Sequence, residues 1–506
     1  MDARAVVSVL LLVCLIPFCT ADTEGATAFE SPDGVSYQYG TDGSDHSTYK
    51  AWIESAASDS EVVHIASSLE GYEVKDIRAG ALDLPSARIV VVPEFVKTIG
   101  EGAFSGCPVL EEILFMCDRP EIVGGLPDGV AVKALRGTEG WDASVPSMEE
   151  FDETSGDGSI IRYVVIGDSL MVVGGTPSKD GSVTIGSEVS GMKVASVGPY
   201  AFAGRDSEDG TVVVPRTDVK KATILDGVEV LRERSFYYCG GLESIGMPSS
   251  LTTIMDESFR ACSDLVDARI PSKVSYLGFE SFRHCTSLPS ISIPDSVRFI
   301  GEGAFKVCSA VERISVGDGL QSIADWAFAY CGAAVSVEIG KSVEQIGISS
   351  FYSCTSLGSA SLPDSVRSIG RDAFYSCSSM RDLRLGSDLE TIGVQAFRGC
   401  SELSSLTVPS KVVSVGDRAF AYCSSMEDIR FKGDMPVFGS SVFLNDDVVV
   451  HCTESHAESW KDYDGYVVID EDGDGNGGGF LAIAAVIVLA AVIVCTALAL
   501  HRRRSI

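Results

Sequence analysis

Cysteines are the residues of this chain best suited by type to do chemistry, as redox thiols or metal ligands. Most of them follow a phenylalanine by three positions, as Cys377 follows Phe374. A step of 23 residues carries that phenylalanine through Phe236, Phe259, Phe282, Phe305, Phe328, Phe351, Phe374, Phe397 and Phe420. The cysteine moves with it, through Cys239, Cys262, Cys285, Cys308, Cys331, Cys354, Cys377, Cys400 and Cys423. Zinc and redox motifs bring cysteines within two to four positions of one another, so thiols at this spacing point away from both. Disulfides are the harder alternative, because stacked coils would set successive Cα atoms about 5 Å apart, within reach of a bridge, in a chain expected outside the cytoplasm. An odd count and the parallel direction of stacked side chains oppose that pairing. Buried free cysteine behaves as a small hydrophobe, and the ladder is expected to be core. Cys107 repeats the role, whereas Cys117 and Cys452 stand outside the ladder.

Other constellations are thin. The histidines are His46, His64, His284, His451, His456 and His501; none forms a His-Glu-x-x-His pair or lies beside a nucleophile elbow. The densest cluster, His451-Cys452-Thr453-Glu454-Ser455-His456, reads better as a solvated loop than as a metal site. Gly100-x-Gly102 and Gly301-x-Gly303 recur at a repeat corner, which makes them turns rather than phosphate loops. Asp470 to Gly477 opens like a calcium loop but lacks glutamate at its twelfth position, and an acidic stalk fits it better. No catalytic residue, metal or cofactor is expected.

What must hold the ladder is a repeat. In SFRHCTSLPSISIPDSVRFIGEGAF, from Ser281, Phe282 is followed by Leu288, Ile291 and Ile293; Pro294 stops the run, and Val297 and Ile300 lead to Gly301. Period two at Ile291 and Ile293 suits a short strand with one buried face. A unit this small cannot bury its apolar side alone, so neighbours must stack, with parallel strands ~4.8 Å apart and roughly 40 Å of sheet over the regular coils. The pattern A/S-F-x-x-C-x-x-L-x-x-I-x-I-P-x-S-V-x-x-I-G resembles the BspA-type leucine-rich repeat, a class associated with microbial surface antigens, and does so tightly from Val228 to Phe431. That resemblance implies an α/β-type leucine-rich repeat solenoid with short parallel strands and irregular or short-helical backs. It implies little about function, since such families are defined by their scaffold.

Fainter copies fill the first half. VKTIGEGAFSGCPVLEEILF repeats the grammar at Ile99, Phe104, Cys107, Leu110, Ile113 and Phe115, and GYEVKDIRAGAL from Gly71 parallels GMKVASVGPYAF from Gly191. Closing units also match: Ile113-x-Phe115, Pro120, Val130-x-Val132 and Trp141 mirror Ile429-x-Phe431, Pro436, Val448-x-Val450 and Trp460. Two arrays are therefore expected, each with its own ends, because a terminal coil has one face without a neighbour. Residues 61–141 form the short first array and 142–158 an acidic linker. Residues 159–227 open the second array, with an inserted loop where the step from Phe202 to Phe236 is 34; regular coils run over 228–432 and a closing unit over 433–466. Residues 22–60 show no repeat and stay unassigned.

Both ends suggest a location. Residues 1–21 read as a signal peptide, with Arg4 before the apolar run Val6 to Phe18 and cleavage after Ala21. After a stalk over 467–479, residues 480–500 form 21 uncharged apolar positions, ~30 Å as a helix and enough to span a bilayer once. The basic tail 501–506 is expected in the cytoplasm and everything before the span outside; a lipid-anchor signal would normally lack such a tail. The net charge of −32 would repel phosphate backbones and anionic headgroups, so nucleic acid is not an expected partner. Neither Asn445 nor Asn476 starts an N-glycosylation sequon.

Function then falls to the surface. Eight and ten residues after each phenylalanine, strand alternation turns side chains outward, and the charged ones are Asp267, Arg269, Arg313, Glu338, Asp382, Arg384, Asp428 and Arg430 among serines and a threonine. A second row, one residue after each phenylalanine and including Tyr237, Arg260, Tyr352, Tyr375 and Arg398, reads as cover for the back of the coils. The leading expectation is a membrane-anchored extracellular repeat protein that binds a protein or glycan through the strand face, in adhesion or recognition. The alternative is a cell-envelope spacer without a ligand, and the third reading an extracellular enzyme using 22–60 or the His451 cluster.

Overall fold

A computed structural model describes residues 27–41, 50–206, 213–444, 448–463, 465 and 467–471. The expected signal peptide, membrane span and tail lie outside the described residues, among which no helix is long and apolar enough to cross a membrane.

Each regular coil carries two strands. The first comes from the L-x-x-I-x-I run: Ser290–Ile293 pairs in parallel with Arg313–Val316, setting Ile291 beside Ile314 and Ile293 beside Val316 on the buried side while Ser290 and Ser292 stay exposed. After the proline corner, where Val297 N–H donates to Pro294 O at 3.1 Å, the V-x-x-I-G run makes a second strand, Phe299–Ile300, paired in parallel with Tyr276–Leu277. The one-strand unit read from the sequence missed it, because two residues are too few to display an alternation. Gly301 ends that strand where the neighbouring coil comes closest, and a Cβ there would stand 2.3 Å from the Phe279 nitrogen.

Among the described residues no α-helix forms behind the sheets. The residues two before and two after each phenylalanine take left-handed backbone, as Asp372 at φ 54° and Ser376 at φ 57° do around Phe374. Left-handed L-residues cost roughly 1–2 kcal/mol each and break any helical run. Hydrogen bonds to the next coil offset that cost: Phe374 N–H donates to Ala396 O at 2.7 Å and Ser376 N–H to Arg398 O at 2.7 Å. Of the irregular or short-helical backs expected for an α/β-type repeat, the irregular form is found: the chain is a parallel β-solenoid with turn-built backs, and the described residues contain one helical segment, the 3₁₀ turn Glu454–His456.

Inside, the phenylalanine rings stack in a file, with Phe374 centred 5.1 Å from Phe351 and 5.3 Å from Phe397 and tilted by 7° and 6°. Fully burying one such side chain stabilises by about 1.5–3 kcal/mol. The cysteines run alongside, and each thiol donates to the phenylalanine carbonyl of the preceding coil, from Cys262 to Phe236 O at 3.2 Å through to Cys423 to Phe397 O at 3.2 Å. Twelve described cysteines are free and buried. Burial pushes the thiols of the ladder from Cys239 to Cys400 up, that of Cys354 to about 12, so these hold little of the thiolate that redox or metal chemistry requires.

Both halves of the chain open and close alike. Thr27–Glu30, Ser36–Thr41 and Lys50–Ala57 form an antiparallel meander whose last strand pairs in parallel with Tyr72–Ile77. Glu150–Thr154, Ile160–Ile166 and Ser169–Thr176 do the same ahead of Met192–Val197. The stretch without repeats and the second half of the expected linker are thus strands of equivalent opening units. Matching Asp-Gly turns start them, with Gly34 at φ 75° and Gly158 at φ 85°. At the closing ends Trp141 packs 4.6 Å from Phe115 and donates to Cys117 O, while Trp460 packs 5.0 Å from Phe431 and donates to Gly433 O.

The two halves pack against each other. In the first, the outward strand positions are apolar: Val91, Leu114 and Met116 are buried against Met148, Val164, Ile166 and Met171 from the opening of the second. Gly71 meets the Phe279 ring so closely that a Cβ would lie 2.6 Å from it. Beside this contact Arg234 bonds Glu73 at 2.8 Å and Glu257 at 2.5 Å, and its guanidinium lies 4.8 Å from the Phe95 ring centre. None of these contacts was legible in the repeat pattern.

Candidate binding face

The first strands of the coils line up their outward residues in two columns. Register places Ser290, Arg313, Ser336, Ser359 and Asp382 in one column and Ser292, Ser315, Glu338, Ser361 and Arg384 in the other. Asp267 follows Ser244 in the first column on the preceding sheet segment, and Asp428 follows Ser405 on the next. Asp267, Arg269, Arg313, Glu338, Asp382 and Arg384 are all exposed. Within each column serines separate the charges, so like and unlike charges sit at least two strands, roughly 10 Å, apart along the solenoid. Arginines on neighbouring loops are paired, as Arg381 is with Glu402 and Arg367 with Glu390, whereas Arg269, Arg313 and Arg384 have no ion-pair partner among the described residues. Across the columns, Asp382 and Arg384 share a strand and Arg313 and Glu338 lie on adjacent strands, so the face offers solvated charges of both signs among small hydroxyls.

Asp428 and Arg430 differ from the other six. Arg430 Nε donates to Asp470 Oδ2 at 2.7 Å, and the His451 ring lies between Asp428 Oδ1, 2.9 Å from Nε2, and Asp470 Oδ1, 3.2 Å from Nδ1. These four residues close the end of the sheet on one another. The carboxylates sit on opposite ring nitrogens and cannot converge on one ion with the imidazole, and among the described residues no group of three or more His, Cys, Asp or Glu is arranged to hold a metal. His456 turns away, toward Thr453 Oγ1 at 2.9 Å and Ser455 Oγ at 3.0 Å. Sequence reading grouped His451 with His456; its actual partners, 23 and 19 positions away, were reachable only by setting the closing strands in register.

A cleft of about 510 Å³ opens between the two halves, lined by Asp33, Val62, His64, Asp168, Lys193 and Arg232. Its cations are already engaged, Arg232 with Asp33 at 3.2 Å and Lys193 with Glu229 at 2.6 Å.

Stacked short strands, a ladder core and an exposed polar sheet define a leucine-rich repeat scaffold. The chain belongs to the BspA type leucine rich repeat family, whose pattern matches residues 69–122, 215–335 and 321–449 in six copies. That family is one of non-enzymatic repeat proteins typical of cell surfaces. No curated protein matches the chain. Similar solved structures include a leucine-rich repeat protein from Bacteroides ovatus (22% identity, 62% of this chain and 98% of that one, TM-score 0.31). Others are a leucine rich cell surface protein from Faecalibacterium prausnitzii (20%, 61% and 97%, 0.36) and a leucine rich repeat protein from T. pallidum (25%, 39% and 87%, 0.34). At these TM-scores none of them locates a site here.

Proposed function

We propose that this is a membrane-anchored extracellular repeat protein that binds a protein or glycan partner through the outward strand face of its second half, in adhesion or recognition. The observation that carries the reading is the row of exposed charges, Asp267, Arg269, Arg313, Glu338, Asp382 and Arg384, which have no ion-pair partner among the described residues and stand among serines. Solenoids use such extended faces for recognition, and arginine anchors interfaces disproportionately. The leader and the apolar 480–500 segment support the location. Latex beads coated with the full-length chain and offered to a panel of microbial and animal cell surfaces test this. Arg269→Glu, Arg313→Glu and Arg384→Glu together are expected to lower bead attachment at least tenfold, while Arg430→Glu, which sits in the closed end cluster, changes it less than threefold. Attachment unaltered by the triple variant would reduce the face to a spacer surface.

A further inference from the structure

The backs of the coils carry a second row of chemistry, and this molecule already uses one end of it. Near the start of the regular coils, Tyr200, Arg234, Tyr237 and Arg260 form a continuous aromatic and cationic strip, with Tyr237 6.1 Å from Tyr200 and Arg260 5.8 Å from the Tyr237 ring. The first half of the chain lies on that end: Phe95 meets the Tyr200 ring edge-on at 6.0 Å and the Arg234 guanidinium at 4.8 Å, and Glu73 pairs with Arg234 at 2.8 Å. An aromatic ring with a carboxylate beside it is thus what this surface accepts.

Farther along the same strip resumes, and there the first half of the chain does not cover it among the described residues. Lys306 Nζ lies 4.2 Å over Trp326, Trp326 is 5.7 Å from Tyr352, and Tyr352 stacks on Tyr375 at 4.8 Å and 5°. Arg398 lies between Tyr375 and Tyr422, 5.3 and 4.9 Å from their ring centres. The run covers about 24 Å of solenoid. Tyr422 and, beside Tyr352, Tyr330 are each 41% exposed. Arg371, Arg398 and Arg418 have no ion-pair partner among the described residues. Of the neighbouring carboxylates, Asp325 accepts from Ile348 N–H at 2.6 Å and Asp417 from Ser440 N–H at 2.7 Å; Asp372 lies near Arg371 and Arg398 without an ion pair to either, and Arg398 donates to Gln395. In a chain of net charge −32, unpaired arginines flanked by open aromatic rings are an unusual local exception. Tyrosine, tryptophan and arginine are the residue types that concentrate binding energy at interfaces, and guanidinium over an aromatic face strengthens as water is excluded.

We propose that the strip from Trp326 to Tyr422 is a docking surface for an acidic, aromatic-bearing segment of a partner protein. The segment's carboxylates pair with Arg398 and its neighbours Arg371 and Arg418, and its ring lies against Tyr352 and Tyr375, as Glu73 and Phe95 do at the other end. This site is separate from the strand face, and neither reading depends on the other.

The test is fluorescence anisotropy of a labelled Glu-Glu-Phe-Glu-Glu peptide titrated with the purified full-length chain. Saturable binding is expected, weakened at least tenfold by Arg398→Ala with Tyr375→Ala and at least threefold by 0.5 M salt. Arg398→Gln alone, a milder change at a partly exposed site, is expected to weaken it at least threefold, and Arg88→Gln, on the first half and outside both surfaces, to leave it unchanged. No saturable binding, equal binding of Lys-Lys-Phe-Lys-Lys, or binding indifferent to the Arg398 variants overturns the proposal. So does a chain that ignores the peptide and instead binds phosphatidylserine vesicles or anionic glycans through the same residues.

Discussion

Replacing Arg234 with methionine is expected to destabilise the chain by about 3 kcal/mol and to loosen the contact between its two halves. The guanidinium donates through Nε and Nη2 to Glu257 Oε1 at 3.0 and 2.5 Å, and through Nη1 to Glu73 Oε1 at 2.8 Å and Tyr200 Oη at 2.5 Å. Glu257 is only 4% exposed in its side chain, so methionine there deprives a buried carboxylate of its main counter-charge. Removing one partner of a buried pair costs about 3–5 kcal/mol. The lower part of that range applies because Arg260 keeps a 2.7 Å bond to Glu257 Oε2. Urea unfolding read by tryptophan fluorescence measures the loss, and Glu257→Gln added to Arg234→Met should recover part of it by removing the stranded charge. A loss below about 1 kcal/mol would mean that the network is not the fastening it looks like.

The same contact makes stability fall as pH rises. Both carboxylate oxygens of Glu94 are buried without a hydrogen-bond partner. Burial, reinforced by Glu233 and Glu73 and opposed by Arg234, pushes its carboxyl up to about 8. Burial also pushes Asp256 up to about 7, although it accepts from Ser68 Oγ at 2.5 Å and Phe279 N–H at 2.9 Å. A carboxyl raised in the folded state favours folding most below its unfolded pKa, near 4–4.5, and loses that advantage as pH climbs to the folded value. For Glu94 the window is therefore pH ~4.5 to 8. Glu94→Gln, which stays neutral, should leave the chain unchanged near pH 5 and stabilise it by about 1–3 kcal/mol at pH 8. Unfolding curves at pH 5, 6.5 and 8 give the comparison; parallel pH profiles for the wild type and Glu94→Gln would refute the assignment.

Much of the scaffold was legible because a strict period leaves little freedom. Phe374, Cys377, Leu385 and Ile392 each recur in register, and a residue that must face the core in one coil must do so in all of them. The outward columns followed from the same alternation, which is why Asp382 and Arg384 were placed on the exposed face from sequence. What the period could not convey is whatever breaks it. Asp33-Gly34 and Asp157-Gly158 signal hairpins by local turn chemistry, and a 23-residue ruler passes over them. Arg234, Glu257 and Glu280 occupy a position that is glycine, tryptophan, serine, aspartate, glutamine or arginine in later coils, so the period does not convey that Glu257 and Glu280 are buried there. Arg430 looked equivalent to Arg384 until the closing strand brought Asp470 beside it. Val91 and Leu114 stand at outward positions that carry serine or charge in the second half, and they are buried in the contact between the halves.

The claim on which everything else rests is that the phenylalanine and cysteine ladder is inert core, so that function belongs to the surfaces it holds in place. Thiol titration of residues 22–479 without reductant tests it directly, since that stretch holds the twelve cysteines described as free and buried. The account predicts essentially no thiol modified within minutes in the native protein and all twelve modified once guanidinium unfolds it. Rapidly reacting native thiols in the ladder, or fewer than twelve after unfolding because pairs are oxidised, would contradict it.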